Sequence, residues 1–233
     1  MKEIKQNSSP SDRSLFLDAL RGFTVVLMII FHFSFDLDHF GIVSFDVIHA
    51  PFWYFFPRLI VFLFLFAVGV ALTLAHKNGI KWRPFWKRIL LLVFWAAVIS
   101  LVTFKFFPEN WIYFGTLHSI VVCSLMSLPF LKRPKEALAV GLCLFIPSIV
   151  WDYNLPWLQL PHESWDYISP FPWVGASLIG IFAAHKGIHR LDFPNNRLIK
   201  SLNYLGRHSL FIYLIHQPIL FGCLMLVMKI IRS

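Results

Sequence analysis

Charge is scarce in this chain. Only 14% of its 233 residues are Asp, Glu, Lys or Arg, and only 12 of them are acidic. Water-soluble domains carry roughly a quarter charged residues, so a soluble globule is excluded. Cysteine is scarce too: Cys123, Cys143 and Cys223 each fall inside an apolar stretch, which argues against a disulfide framework. There is no glycine-rich phosphate loop, no internal repeat and no low-complexity tract. No His-x-x-His or Cys-x-x-Cys pair occurs, so no metal is expected.

What is abundant is apolar surface. Hydrophobic residues make up 58% of the chain and the mean hydropathy is +0.67. Seven stretches approach the length a bilayer-spanning helix needs, near 15–37, 53–75, 86–106, 111–131, 137–152, 168–185 and 206–230. The expected fold is therefore an all-α, polytopic transmembrane bundle of about seven helices. Residues 1–14 form a polar N-terminus that does not read as a signal peptide, and 15–233 form a single transmembrane domain.

Basic residues fall on one side of these spans. They are Lys2, Lys5 and Arg13; Lys77, Lys81, Arg83, Lys87 and Arg88; Lys132, Arg133 and Lys135; and Lys186, Arg190, Arg197, Lys200 and Arg207. The other side has only Lys105, Lys229 and Arg232, beside Asp36, Asp38, Asp46, Glu109, Asp152, Glu163 and Asp166. The positive-inside rule puts the N-terminus and the basic loops in the cytoplasm, in a multi-pass protein of the cell (inner) membrane. The net charge of +9 is then a topology signal, and nucleic acid is not an expected partner.

Ionisable residues within a bilayer are costly and mark functional candidates. The first span, LDALRGFTVVLMIIFHFSFDLDHFG, holds the densest set. At about 100° per residue, with Arg21 at zero, His32 lies near 20° and Asp18 and Asp36 near 60°. All four share one stripe. His32 and Asp36 are four apart, so the spacing predicts a hydrogen bond in which Asp36 orients His32 as a general base. Arg21 lies roughly 16 Å along the axis from His32. That spacing suits a long anionic ligand whose phosphates sit low and whose reactive end sits high. The bland alternative pairs Asp18 with Arg21 and makes His32 a helix-to-helix contact. Other spans add His118, His216 with Gln217, Tyr213, Arg58, Asp166 and Trp173 as candidate lining of a polar cavity. Arg58 has an equally plain reading as a snorkelling interfacial cation.

At LDALRGFTVVLMIIFHFSFDL, and through FLFLFAVGVALTLAH, YFGTLHSI, DYISPFPWVGASLIGI and GRHSLFIYLIHQPIL, the chain resembles the heparan-alpha-glucosaminide N-acetyltransferase catalytic-domain family, in its small prokaryotic branch. Arg21 and His32 also match the Arg-x10-His pattern of the distantly similar acyltransferase family 3 membrane proteins. The resemblance implies an acyl-CoA-dependent transferase that passes an acyl group, acetyl above all, from cytoplasmic acyl-CoA to an extracytoplasmic sugar amine or hydroxyl. It implies His32 as base, by likeness to family 3. It also raises His49, in FDVIHAPFW, as a second candidate, because the lysosomal enzyme's histidine lies in the loop after the first helix. The larger enzyme's lumenal region has no counterpart here.

On this reading Arg21 with Arg83, Lys87 or Arg88 holds the donor's phosphates, and His118, His216 or Tyr213 donates to the oxyanion. The partners are acyl-CoA, a saccharide or other acceptor, and lipid; a homodimer is compatible with the sequence. The rival readings are a small-molecule transporter, for which paired broken helices are lacking, and a non-catalytic membrane partner or sensor.

Overall fold

The computed structural model describes residues 14–44, 50–194 and 196–231, and these residues contain no strand. Eight α-helices follow one another: α1 (Leu15–His39), α2 (Pro51–Ala75), α3 (Trp82–Phe106), α4 (Thr116–Ser127), α5 (Pro134–Trp151), α6 (Val174–His185), α7 (Arg197–Arg207) and α8 (Ser209–Ile231). Five of them, α1, α2, α3, α5 and α8, are long and apolar enough to cross a membrane, while α6 and α4 with its 3₁₀ continuation are shorter apolar helices. The fold is the all-α membrane bundle that composition demands.

Helix boundaries follow local chemistry. Ser14 caps α1, its hydroxyl accepting the Leu17 N–H at 3.3 Å. Pro51 and Pro134 open α2 and α5, where proline's missing N–H has no intrahelical partner to lose. Asn196 caps α7 through the Ile199 N–H at 2.9 Å.

Lipid offers no hydrophobic drive between helices, so membrane bundles rely on close backbone packing at small residues. Two such crossings organise this one. A Cβ on Gly69 of α2 would strike the Ser177 carbonyl of α6, and one on Gly180 would strike the Phe66 carbonyl. In the same reciprocal way, Gly22 of α1 abuts the Leu202 carbonyl of α7, and Gly206 abuts the Asp18 carbonyl. Around the first crossing Leu65, Val68, Val121, Leu178 and Ile181 form the main core, closed by Ile89 and Leu92 of α3 and Phe145 of α5.

The structure departs from the expected spans in four places. The fourth begins at Thr116 and the sixth at Val174, with loops before both. The loop before α6 runs alongside α4: Ile168 N–H donates to Phe114 O at 3.0 Å, and Ser119 Oγ donates to Ser169 O at 3.5 Å. Irregular backbone of this kind is tolerated where protein encloses it. The basic 185–207 region contains α7, an amphipathic helix that average hydropathy conceals; it turns Ile199, Leu202, Asn203 and Gly206 inward and leaves Arg197 and Lys200 exposed. Finally, Arg83, Lys87 and Arg88 lie on the first two turns of α3 instead of in a loop.

Candidate active site

The polar stripe of α1 turns into the bundle. Asp18 is 2% exposed and Asp36 is 1% exposed, while Arg21 and His32 are half-buried. Both aspartates reach partners on distant helices. Asp18 faces Arg207, at the end of α7, with Nε 3.5 Å from Oδ2. Asp36 accepts from Gln217 of α8, Nε2 to Oδ1, at 2.9 Å. Among the described residues no hydrogen bond joins Asp36 to His32, which corrects the expectation of an intrahelical orienting pair. The cause is α8. It brings an amide donor to the carboxylate and an imidazole to His32, whose ring lies 4.8 Å from that of His216 at 63°.

The proton on His216 is fixed by its neighbour. Nδ1 lies 2.7 Å from the Tyr213 carbonyl. A carbonyl only accepts, so Nδ1 carries the hydrogen and Nε2 of the neutral ring presents a lone pair. Nε2 is enclosed and has no hydrogen-bond partner among the described residues. The same holds for Asp36 Oδ2 and for Gln217 Oε1. Three acceptors with no donor therefore belong to one small cluster where α1 meets α8. Buried polar atoms are nearly always satisfied, so three together call for an explanation.

The other candidates separate. Tyr213 and Asp166 connect to the cluster from the side. Asp166 accepts the Thr116 N–H at 2.9 Å, the Thr116 hydroxyl at 3.1 Å and the Tyr213 hydroxyl at 3.4 Å. It thereby ties the loop before α6 to the start of α4 and to α8, and spends the Tyr213 hydroxyl.

His118 is committed elsewhere. Its Nδ1 accepts the Gly115 N–H at 3.1 Å. Nε2 therefore holds the proton and donates to Ser100 Oγ at 3.3 Å, whose own hydroxyl goes to Ile112 O at 2.6 Å. Of the three expected oxyanion donors, then, His118 and Tyr213 are occupied and neutral His216 offers a lone pair.

Arg58 is exposed. It bonds Tyr54 O at 2.7 Å and lies 3.5 Å over the Tyr54 ring, the snorkelling reading. Trp173 packs on Phe145 at 5.7 Å, in the core rather than at the cluster. His49 lies outside the described residues. Thr116, Ser100 and Arg207 were not singled out in sequence, because short hydroxyls and a loop-end arginine carry no pattern of their own.

At the opposite end of α1 the basic residues surround His76, whose Nδ1 accepts the Lys81 N–H at 3.2 Å. Burial lowers the His76 imidazole pKa from its ordinary value, and Lys81 and Arg88 lower it further. His76 thus stays neutral among cations. The bundle has a cationic end and, near the other end, an acceptor-rich cluster, which are two unlike chemical environments joined by α1.

No curated protein and no solved structure matches the chain. The family described as heparan-alpha-glucosaminide N-acetyltransferase, catalytic, matches over residues 13–218. That match runs from the start of α1 to Pro218 of α8, past every residue of the cluster. The chain therefore belongs to the heparan-alpha-glucosaminide N-acetyltransferase catalytic-domain family, as a multi-pass membrane protein of transferase type.

Proposed function

We propose that this protein moves an acetyl group from cytoplasmic acetyl-CoA to an amine or hydroxyl of an extracytoplasmic acceptor, a saccharide by preference, across the cell membrane. The observation that carries this is the donor-less set of Asp36 Oδ2, Gln217 Oε1 and His216 Nε2. An amine or hydroxyl brings the N–H or O–H groups that those atoms lack, and a thioester carbonyl brings none. Membership of an acetyltransferase family supports the reaction type.

In this reading Asp36 and Gln217 hold the acceptor, and His32 is the base. The acceptor's lone pair attacks the thioester carbonyl carbon as His32 takes the acceptor's proton. The carbon–sulfur bond then breaks, CoA leaves as a thiolate, and the proton on His32 returns to sulfur. Arg21, with Arg83, Lys87 or Arg88, meets the phosphates of CoA from the cytoplasmic end. His49 is the second candidate base.

The test is acetyl transfer by purified protein in lipid nanodiscs. His32→Ala should abolish transfer while acetyl-CoA binding and the melting temperature stay near wild type. If His49→Ala abolishes turnover and His32→Ala only slows it, the base is His49 and His32 is a wall of the site.

A further inference from the structure

Helix α7 sits at the level of the lipid headgroups. Helix α8 has 23 residues, about 35 Å at 1.5 Å per residue, which more than spans a hydrocarbon core of about 30 Å. Its first residue, Ser209, therefore lies at the membrane surface, and only His208 separates it from the end of α7 at Arg207. Contact with α1 gives the same depth. Helix α7 crosses the first two turns of that span, where Gly206 abuts the Asp18 carbonyl and Gly22 abuts the Leu202 carbonyl.

The crossing occupies the apolar side of α7 and leaves a different set of side chains outside. At about 100° per residue, Arg197, Lys200, Tyr204 and Arg207 fall within an arc of about 80°, and all four are exposed. Leu198, beside this arc, and Tyr204, within it, are each 65% exposed. The segment leading into α7 has the same character, with Arg190, Leu191 and Phe193 exposed. Asp192 is the only acidic residue from Lys186 to Ser233.

A basic surface bathed in water gains nothing from an exposed Leu198 and Tyr204. At headgroup depth they fit: phosphates meet the cations, and the apolar side chains reach the acyl boundary. Clustered Lys and Arg beside a membrane span attract anionic lipid. A soluble anion would use the cations and leave the apolar side chains in water. Arg207 links this face to the interior. Its side chain is half-exposed, yet its Nε lies 3.5 Å from Oδ2 of buried Asp18.

We infer that the outer face of α7 is a docking site for the phosphate headgroups of anionic phospholipids, in the leaflet on the basic side of the bundle. Bound lipid then holds α7 against α1, the span that carries Arg21 and His32. The inference does not depend on the acetyl-transfer reading.

Lipid adducts are measured by native mass spectrometry on the intact purified protein, titrated with phosphatidylglycerol or phosphatidylcholine. The wild type should bind phosphatidylglycerol more tightly. One cation beside an anionic lipid surface is worth about fivefold in affinity. Arg197→Gln combined with Lys200→Gln should therefore weaken phosphatidylglycerol binding about 25-fold and leave phosphatidylcholine binding unchanged. Lys105→Gln, at the far end of α3, should change neither. In 1 M NaCl, where charges are screened beyond about 3 Å, the wild type should lose its preference, which tests the same contacts without a substitution.

A phosphatidylglycerol preference undiminished in the double variant or at high salt overturns the inference. So does displacement of the lipid by millimolar inorganic phosphate, which marks a free-anion site, or by acetyl-CoA, which assigns the face to the donor.

Discussion

Gln217→Met is the most informative single change. Methionine keeps the length of glutamine but removes both the Nε2 donor and the Oε1 acceptor. Asp36 is 1% exposed, and its one side-chain hydrogen bond among the described residues comes from Gln217 at 2.9 Å. A hydrogen bond to a charged group contributes about 1.5–3 kcal/mol. At about 1.4 kcal/mol per tenfold, KM for the acceptor should rise about 10- to 150-fold. KM for acetyl-CoA should not move, because the cationic end of α1 is far from the change. The assay is initial-rate transfer to glucosamine at saturating acetyl-CoA, with a thermal melt of the same preparation. Asp36→Asn should lose a similar amount. The double variant should lose little more than either single one, since both act through one pair of atoms. If the acceptor KM stays within about twofold of wild type while the melting temperature drops, the pair is structural only and the acceptor does not bind there.

Arg21→Ala should weaken acetyl-CoA binding by about 1.5–3 kcal/mol, read by calorimetry, with Arg21→Lys rescuing only part. Gly206→Val should melt well below wild type, because its side chain would collide with the Asp18 carbonyl of α1; overpacking usually costs about 1–3 kcal/mol. Membrane-impermeant thiol reagents should label a cysteine at Ser44 from outside and one at Asn78 only after lysis; the reverse pattern refutes the orientation. Because burial and nearby cations lower the His76 pKa, its neutral form is favoured by folding. The stability it contributes should therefore be lost as pH falls below about 6.5 toward its lowered folded value, and His76→Gln should flatten that loss in a pH series of melts.

The membrane architecture was legible because bilayer chemistry writes itself in long apolar runs. The inward face of α1 was legible because one helical period placed Arg21, His32 and both aspartates together. Pairing was not. Intrahelical spacing offers Asp36 to His32, yet Gln217 takes it in the structure, and Asp18 reaches Arg207 at the far end of α7. Partners more than 180 residues away leave no local signature. His216 and Gln217 could be flagged as polar interruptions of an apolar run, but the tautomer of His216 depends on the Tyr213 carbonyl 2.7 Å away. Helix α7 was hidden for another reason. An amphipathic helix reads as a basic loop when only average hydropathy is weighed.

The long reach of these pairs has a consequence for how the protein is made. The ribosome delivers α1 first, and with it two carboxylates destined for the interior. Arg207 and Gln217 emerge only near the end of synthesis, so throughout translation the first span carries Asp18 and Asp36 without these C-terminal partners. Translocation machinery or early neighbours must shelter that span in the interval, since exposed carboxylates in hydrocarbon are costly. A nonsense mutation between residues 186 and 206 would leave six of the eight helices complete and both Arg207 and Gln217 missing. The earliest helix is thus the last to be finished.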